Sequence, residues 1–264
     1  MSVAAGTDTI AAAFAAAPGR AALMPYLMGG FPSLEGSRAI GEAYAEGGAD
    51  LVELGVPFSD PLADGPVIHA AGTAALEAGA DLHGVLEVGR ALTEAIPVVV
   101  MCYANLVLAR GPERFADELA QRGISGLIVP DLPLEEAEDT RAACDAAGVA
   151  LVALVAPTTP PDRLAAIGAA ARGFVYTVSV TGTTGERQGL AGDLPAILAR
   201  TKAATDVPVA LGFGIGTPAA AAEAADAGAD GVIVGSRLVR AAAEASEPAA
   251  AARRLVGEFA AALR

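Results

Sequence analysis

Leu51-Val52-Glu53-Leu54-Gly55-Val56-Pro57-Phe58-Ser59-Asp60-Pro61-Leu62-Ala63-Asp64-Gly65-Pro66 is the stretch from which the architecture of this chain can be read. It opens as a strand, rich in aliphatic residues, and stops at Pro57, because neither Pro57 nor Pro61 can donate to a ladder. Alternation places Val52, Leu54 and Val56 on one face and Leu51, Glu53 and Gly55 on the other. A carboxylate therefore sits mid-strand among apolar neighbours. Such a group must be paired, must raise its pKa, or must be kept for chemistry. The loop that follows adds Asp60 and Asp64 between prolines and a glycine, so two or three acids converge at one strand end. Read on their own, Asp60 and Asp64 also suit turn formation.

Working outward, short and almost wholly apolar strands recur along the chain, each followed by a helical stretch. The expected strands are 22–28, 50–56, 97–103, 126–130, 149–155, 173–178, 207–211 and 231–234. Helices are expected over 33–46, 67–78, 82–95, 112–122, 134–147 and 160–170, from Asp193, from Thr217, and after Ser236 to the C-terminus, with a short covering helix in 1–17. Strands apolar on both faces alternating with helices predict a parallel sheet covered on the outside. Eight such units in a chain of 264 residues match an α/β fold of the (β/α)8 TIM-barrel type, in one domain over 1–264, with an extra N-terminal helix and extra covering helices. The segments EGGADLVELGVP, QRGISGLIVPDLP, AAGVALVALVAP and DAGADGVIVGS repeat one rhythm, a helix end and a glycine just before an apolar strand. No GxGxxG opens the first crossover, which weighs against a dinucleotide site.

Composition narrows the partners. A formal net charge of −14 and 18% charged residues leave no basic stripe for nucleic acid or an anionic membrane surface. No apolar run reaches the length of a membrane span and no leader peptide is evident, so a cytoplasmic protein is expected. The two cysteines, Cys102 and Cys144, suit small buried side chains in a reducing compartment.

In a (β/α)8 barrel the active site lies at the C-terminal ends of the strands, and the loops after the seventh and eighth often hold a phosphate. Here those loops are Gly212-Phe213-Gly214 and Gly235-Ser236, and Gly185 after the sixth strand adds another amide. A phosphate ester substrate follows. The single lysine, Lys202, lies in a helix leading away from the sixth strand, which argues against Schiff-base chemistry. His69 and His83 have no metal-ligand spacing, so no metal is expected. What remains is carboxylate acid and base chemistry beside a phosphate site, with the Thr/Gly segment 180–189 long enough to close as a lid.

The segments LVELGVPFSDPLADGP, MCYANLV, VPDLPLEE, YTVSVTGTTGER, LGFGI and GVIVGS resemble, in order and over nearly the whole chain, the signature segments of the tryptophan synthase alpha chain family. The resemblance implies a retro-aldol lyase that cleaves indole-3-glycerol phosphate to indole and glyceraldehyde 3-phosphate. It also implies assembly with a beta chain that carries pyridoxal phosphate, with no cofactor in this chain. It assigns proton exchange to Glu53 and recognition of the indole N–H to Asp64. Tyr176 would pack near the acids, and Thr184 would belong to the lid that orders Asp64. Gly185, Gly214, Gly235 and Ser236 would hold the phosphate, and Tyr26, Met101, Tyr103, Ile128 and Phe213 would line an apolar slot for the indole.

Pro57, Asp60 and Pro61, with Asn105 and Pro133 from the next two loops, would face the partner; from the residues alone Asn105 and Pro133 read as turn formers. Departures from the family pattern are His69 where Gln is common, Ala74 where many carry Arg, Tyr26 where many have Phe, and Met101 where many have Leu. Two other functions stay open at this point. One is isomerisation of a different sugar phosphate on the same barrel. The other is an activating subunit that binds a phosphate ligand without turnover.

Overall fold

The computed structural model describes residues 5–17, 19–178, 193–212 and 214–264. Among them, eight parallel strands close into a barrel in sequence order. The strands are β1 (Ala22–Met28), β2 (Val52–Gly55), β3 (Val98–Met101), β4 (Gly126–Ile128), β5 (Ala150–Val155), β6 (Val175–Val178), β7 (Val209–Gly212) and β8 (Gly231–Val234). The described helices are α1 (Ala5–Ala15), α2 (Leu34–Gly47), α3 (Pro66–Glu77), α4 (Leu82–Leu92), α5 (Ala104–Arg110), α6 (Pro112–Ala120), α7 (Glu138–Ala147), α8 (Pro161–Ala170), α9 (Leu194–Lys202), α10 (Pro218–Asp226), α11 (Ser236–Glu244) and α12 (Pro248–Ala262). None is long and apolar enough to cross a membrane.

Strand alternation builds two apolar layers. Val52, Leu54, Val100, Leu127, Val209 and Val232 pack outward with helix residues such as Ile40, Leu92 and Leu119. Leu51, Val99, Ile128, Phe174, Tyr176 and Ile233 fill the barrel interior. The N-terminal helix plugs the bottom of that interior. Ile10 of α1 is fully buried in the inner cluster, and the Phe14 ring lies 5.9 Å from Phe174. Glycine makes the room: a Cβ on Gly173 would lie 2.9 Å from Ile10 Cδ1, and one on Gly231 2.9 Å from Phe14 Cε1.

The rhythm seen in the sequence has a backbone cause. Gly48, Gly123, Gly148 and Gly228, one in each of the four repeated segments, all have positive φ where a helix hands over to a strand. Two of the repeats carry an Asp just before the strand, and both acids do the same work. Asp50 accepts from the Leu23 amide and forms a two-pronged pair with Arg20. Asp230 accepts from the Val209 amide and pairs with Lys202. Each carboxylate thus ties a strand start to its neighbour.

The structure differs from expectation in two connections. Ala104–Arg110 is a helix in its own right, α5, ended by Gly111 at φ 85 before Pro112 opens α6. The C-terminal helical stretch is broken between Glu244 and Pro248, where proline begins α12.

Candidate active site

Glu53 points into the barrel from the middle of β2, between its register partners Tyr26 on β1 and Val99 on β3. It is 2% exposed. No guanidinium or ammonium among the described residues pairs with it, and its Oε2 is buried without a hydrogen-bond partner. Burial first, and the Asp64 carboxyl second, push its pKa up to about 8. At neutral pH this side chain holds its proton.

Asp64 reaches the same space from the loop between β2 and α3. Its Oδ1 is buried and unpartnered as well. Burial raises its pKa to about 6 against the opposing pull of a hydrogen bond from the Tyr103 hydroxyl and of nearby His69. Tyr103 fixes that loop from below. Its hydroxyl also accepts from the Ala63 amide at 3.0 Å, and its ring stacks on Phe58 with centroids 5.3 Å apart. Pro66 at the first turn of α3 then stops the loop from wandering.

The pocket shared by the two acids has three kinds of wall. Met101, Ile68, Leu154 and Ile233 give an apolar side. Gly214, Gly235 and Ser236 give a glycine rim, where α11 begins with Ser236. Tyr26 and Tyr176 complete the interior, each seated over a glycine of the next strand. A Cβ on Gly55 would lie 2.0 Å from the Tyr26 hydroxyl, and one on Gly212 2.4 Å from the Tyr176 hydroxyl. Burial holds both phenols well above the ordinary pKa, so both stay neutral. Among the described residues no Arg or Lys lines the pocket, and the groups there that suit an anion are the amides at the start of α11.

Among the other expected site residues, Tyr103 and Ile128 do not line this pocket. Tyr103 stands behind the Asp64 loop, and Ile128 lies in the packed interior cluster. Thr184, Gly185 and Phe213, with the segment 180–189, lie outside the described residues. Pro57 is buried at the root of the loop, Pro61 is half-buried, and Asp60, Asn105 and Pro133 are exposed. Beside them stand two large exposed apolar side chains the sequence reading did not single out, Leu62 at 80% and Leu108 at 60% exposure. The reading also passed over Ile68, Ala63, Pro130, Leu154, Ile215 and Ile233 as wall residues. Leu154 and Ile233 were findable, since alternation from Tyr176 and its neighbours puts both inside the barrel.

No group of three or more His, Cys, Asp or Glu side chains among the described residues is placed to hold a metal. Comparison with known proteins gives one consistent answer. Residues 13–263 match the family model for the tryptophan synthase alpha chain. The tryptophan synthase alpha chain of Methanosarcina mazei is 50% identical over 219 residues, covering 83% of this chain and 80% of that one. That of Synechococcus elongatus is 49% identical over 223 residues, covering 84% of each. A solved structure of Mycobacterium tuberculosis tryptophan synthase superposes with a TM-score of 0.88 at 42% identity, over 99% of this chain and 98% of that one. With a matching barrel, a matching family model and relatives this similar along most of their length, the chain belongs to the tryptophan synthase alpha chain family.

Proposed function

We propose that this chain, as an alpha subunit of tryptophan synthase, cleaves indole-3-glycerol phosphate to indole and glyceraldehyde 3-phosphate, with Glu53 and Asp64 as its catalytic residues. The observation that carries this reading is the pair of carboxyl groups with raised proton affinity, each turning a buried, unpartnered oxygen toward one pocket. Protonated Glu53 gives its proton to the ring carbon that bears the glyceryl chain. The ring becomes a cation, and ionised Asp64, accepting the indole N–H, stabilises it. The Glu53 carboxylate then takes the proton of the adjacent hydroxyl. The C–O bond becomes a carbonyl, the carbon–carbon bond breaks, and its electron pair returns to the ring. Glu53 ends as it began, protonated, so one group serves as acid and then as base.

The apolar wall with Met101 takes the indole, together with Tyr26 and, in the family pattern, Phe213, while Tyr103 and Ile128 back that wall from behind the Asp64 loop and from the barrel interior. The rim of Gly214, Gly235 and Ser236 takes the phosphate, joined by Gly185, while Tyr176 packs near the acids and Thr184 belongs to the lid that orders Asp64. Asp60, Pro61, Asn105 and Pro133, with Pro57 at the root of their loop, meet a beta chain, and the pyridoxal phosphate of the complex belongs to that partner. Buried free thiols at Cys102 and Cys144 accord with a reducing compartment such as the cytoplasm.

The test is release of free indole from indole-3-glycerol phosphate, with and without a beta chain, for wild type and for Glu53→Gln. Loss of at least about a hundredfold in the variant is expected for removal of the acid and base group. Near-normal turnover in Glu53→Gln defeats the assignment.

A further inference from the structure

Tyr26 brings a third polar group to the pocket, and the reaction set out above gives its hydroxyl nothing to do. On β1 this residue stands between the two halves of the site. Its backbone is in register with Glu53 of β2 on one side, and β8, which leads into Gly235 and Ser236, pairs with β1 on the other. A Cβ on Gly235 would lie 3.7 Å from Tyr26 Cβ, whereas one on Gly55 would lie 2.0 Å from the Tyr26 hydroxyl. The side chain therefore starts beside the glycine rim and ends over Gly55, the next residue toward the barrel mouth on the same face as Glu53.

There the hydroxyl has a poor partner. Among the described residues its hydrogen bond is to Met28 Sδ at 3.9 Å, a weak acceptor. The residue is 4% exposed, so bulk water does not make good the deficit. A phenyl ring would fill the same space without burying an under-used donor. Burial, then the Asp64 and Glu53 carboxyls, hold the phenol protonated, which leaves it a donor throughout the working pH range. The side chain thus spans β1 from the rim at Gly235 to the strand of Glu53, with its oxygen at the Glu53 end, and a molecule with one end at Glu53 and the other on the rim crosses β1.

We propose that the Tyr26 hydroxyl touches substrate, donating a hydrogen bond to a hydroxyl oxygen of the glyceryl chain next to the bond that breaks. This rests on the substrate reading given above. It makes Tyr26 a specificity residue, one that separates a hydroxylated three-carbon phosphate chain from a plain alkyl one of the same length.

Tyr26→Phe removes that oxygen and nothing else. The expected result is a fall of roughly five- to tenfold in kcat/KM for indole release, the scale of one neutral hydrogen bond. The affinity for indole-3-propanol phosphate, which has the same ring, chain length and phosphate but lacks both hydroxyls, should stay within about twofold, because that ligand offers the donor no partner. Unchanged kcat/KM in the variant, beside an active wild type, overturns the proposal. So does an equal loss of affinity for the propanol compound, which would make the hydroxyl a matter of pocket shape. Wild type releasing no indole, alone or with a beta chain, overturns the substrate reading and this proposal with it.

Discussion

Tyr103 holds Asp64 by a hydrogen bond from its hydroxyl, and the same oxygen accepts the Ala63 amide at 3.0 Å. One side chain just past β3 thereby sets two consecutive residues of the loop after β2, including the acid that turns into the pocket. That bond also favours the charged form of Asp64, opposing the burial that lifts its pKa to about 6.

A pH profile should therefore carry two limbs. Activity rises as Asp64 ionises near pH 6 and falls as Glu53 loses its proton near pH 8, the two apparent values belonging to the interacting pair. Tyr103→Phe removes a donor to the charged form of Asp64, so the acid limb of kcat/KM for indole release should move to higher pH while the basic limb stays. An acid limb that does not move would show that Tyr103 leaves Asp64 alone.

Glu53 makes a second prediction, about stability. Its carboxyl titrates at the ordinary value of 4.5 when the chain is unfolded and at about 8 when folded. Between those values the folded state binds more protons than the unfolded one, so stability is lost as pH rises through that window. Glu53→Gln cannot ionise and escapes this loss. In denaturant unfolding at several pH values, the variant should gain on wild type from pH 5 to pH 8.5, by roughly 2–4 kcal/mol. Burial of the new amide shifts the whole curve but not its slope. Parallel curves would mean that Glu53 is not held protonated in the fold.

The barrel was legible because two patterns coincide: short period-two strands apolar on both faces, and a left-handed glycine that follows the helix before four of them, at Gly48, Gly123, Gly148 and Gly228. The site acid was legible for the same reason, since alternation alone puts Glu53 on the inner face. What stayed hidden depended on contacts distant in sequence. The run Ala104-Asn105-Leu106-Val107-Leu108 is as apolar as a strand, and a seven-residue helix is too short to show its period, so α5 escaped notice. Tyr103 read as a wall of the pocket because nothing local says that its hydroxyl turns to Ala63 and Asp64. Gly55 read as a strand residue with no further role and Gly212 as part of the phosphate loop, whereas each ends a strand and leaves space for a tyrosine one strand away.

Leu62 supplies the last prediction. This leucine is 80% exposed, one residue from Ala63 and two from Asp64, and so stands free at the mouth of the acid-bearing loop. Leu108 and Asn105 on the exposed side of α5 extend the same apolar and polar mixture from the adjacent loop, as expected of a surface that a beta chain covers. Leu62→Ser should leave unfolding stability within about 0.5 kcal/mol of wild type, since the side chain packs on little within this chain. Affinity for the beta chain, measured by titration calorimetry, should weaken roughly tenfold, as for a buried apolar anchor. The rate of indole release at saturating beta chain should nevertheless match wild type, because Asp64 is held by Tyr103 and not by Leu62. Unchanged affinity would place the partner elsewhere on the barrel mouth, and a rate that stays low at saturation would make Leu62 part of the link through which the partner sets Asp64.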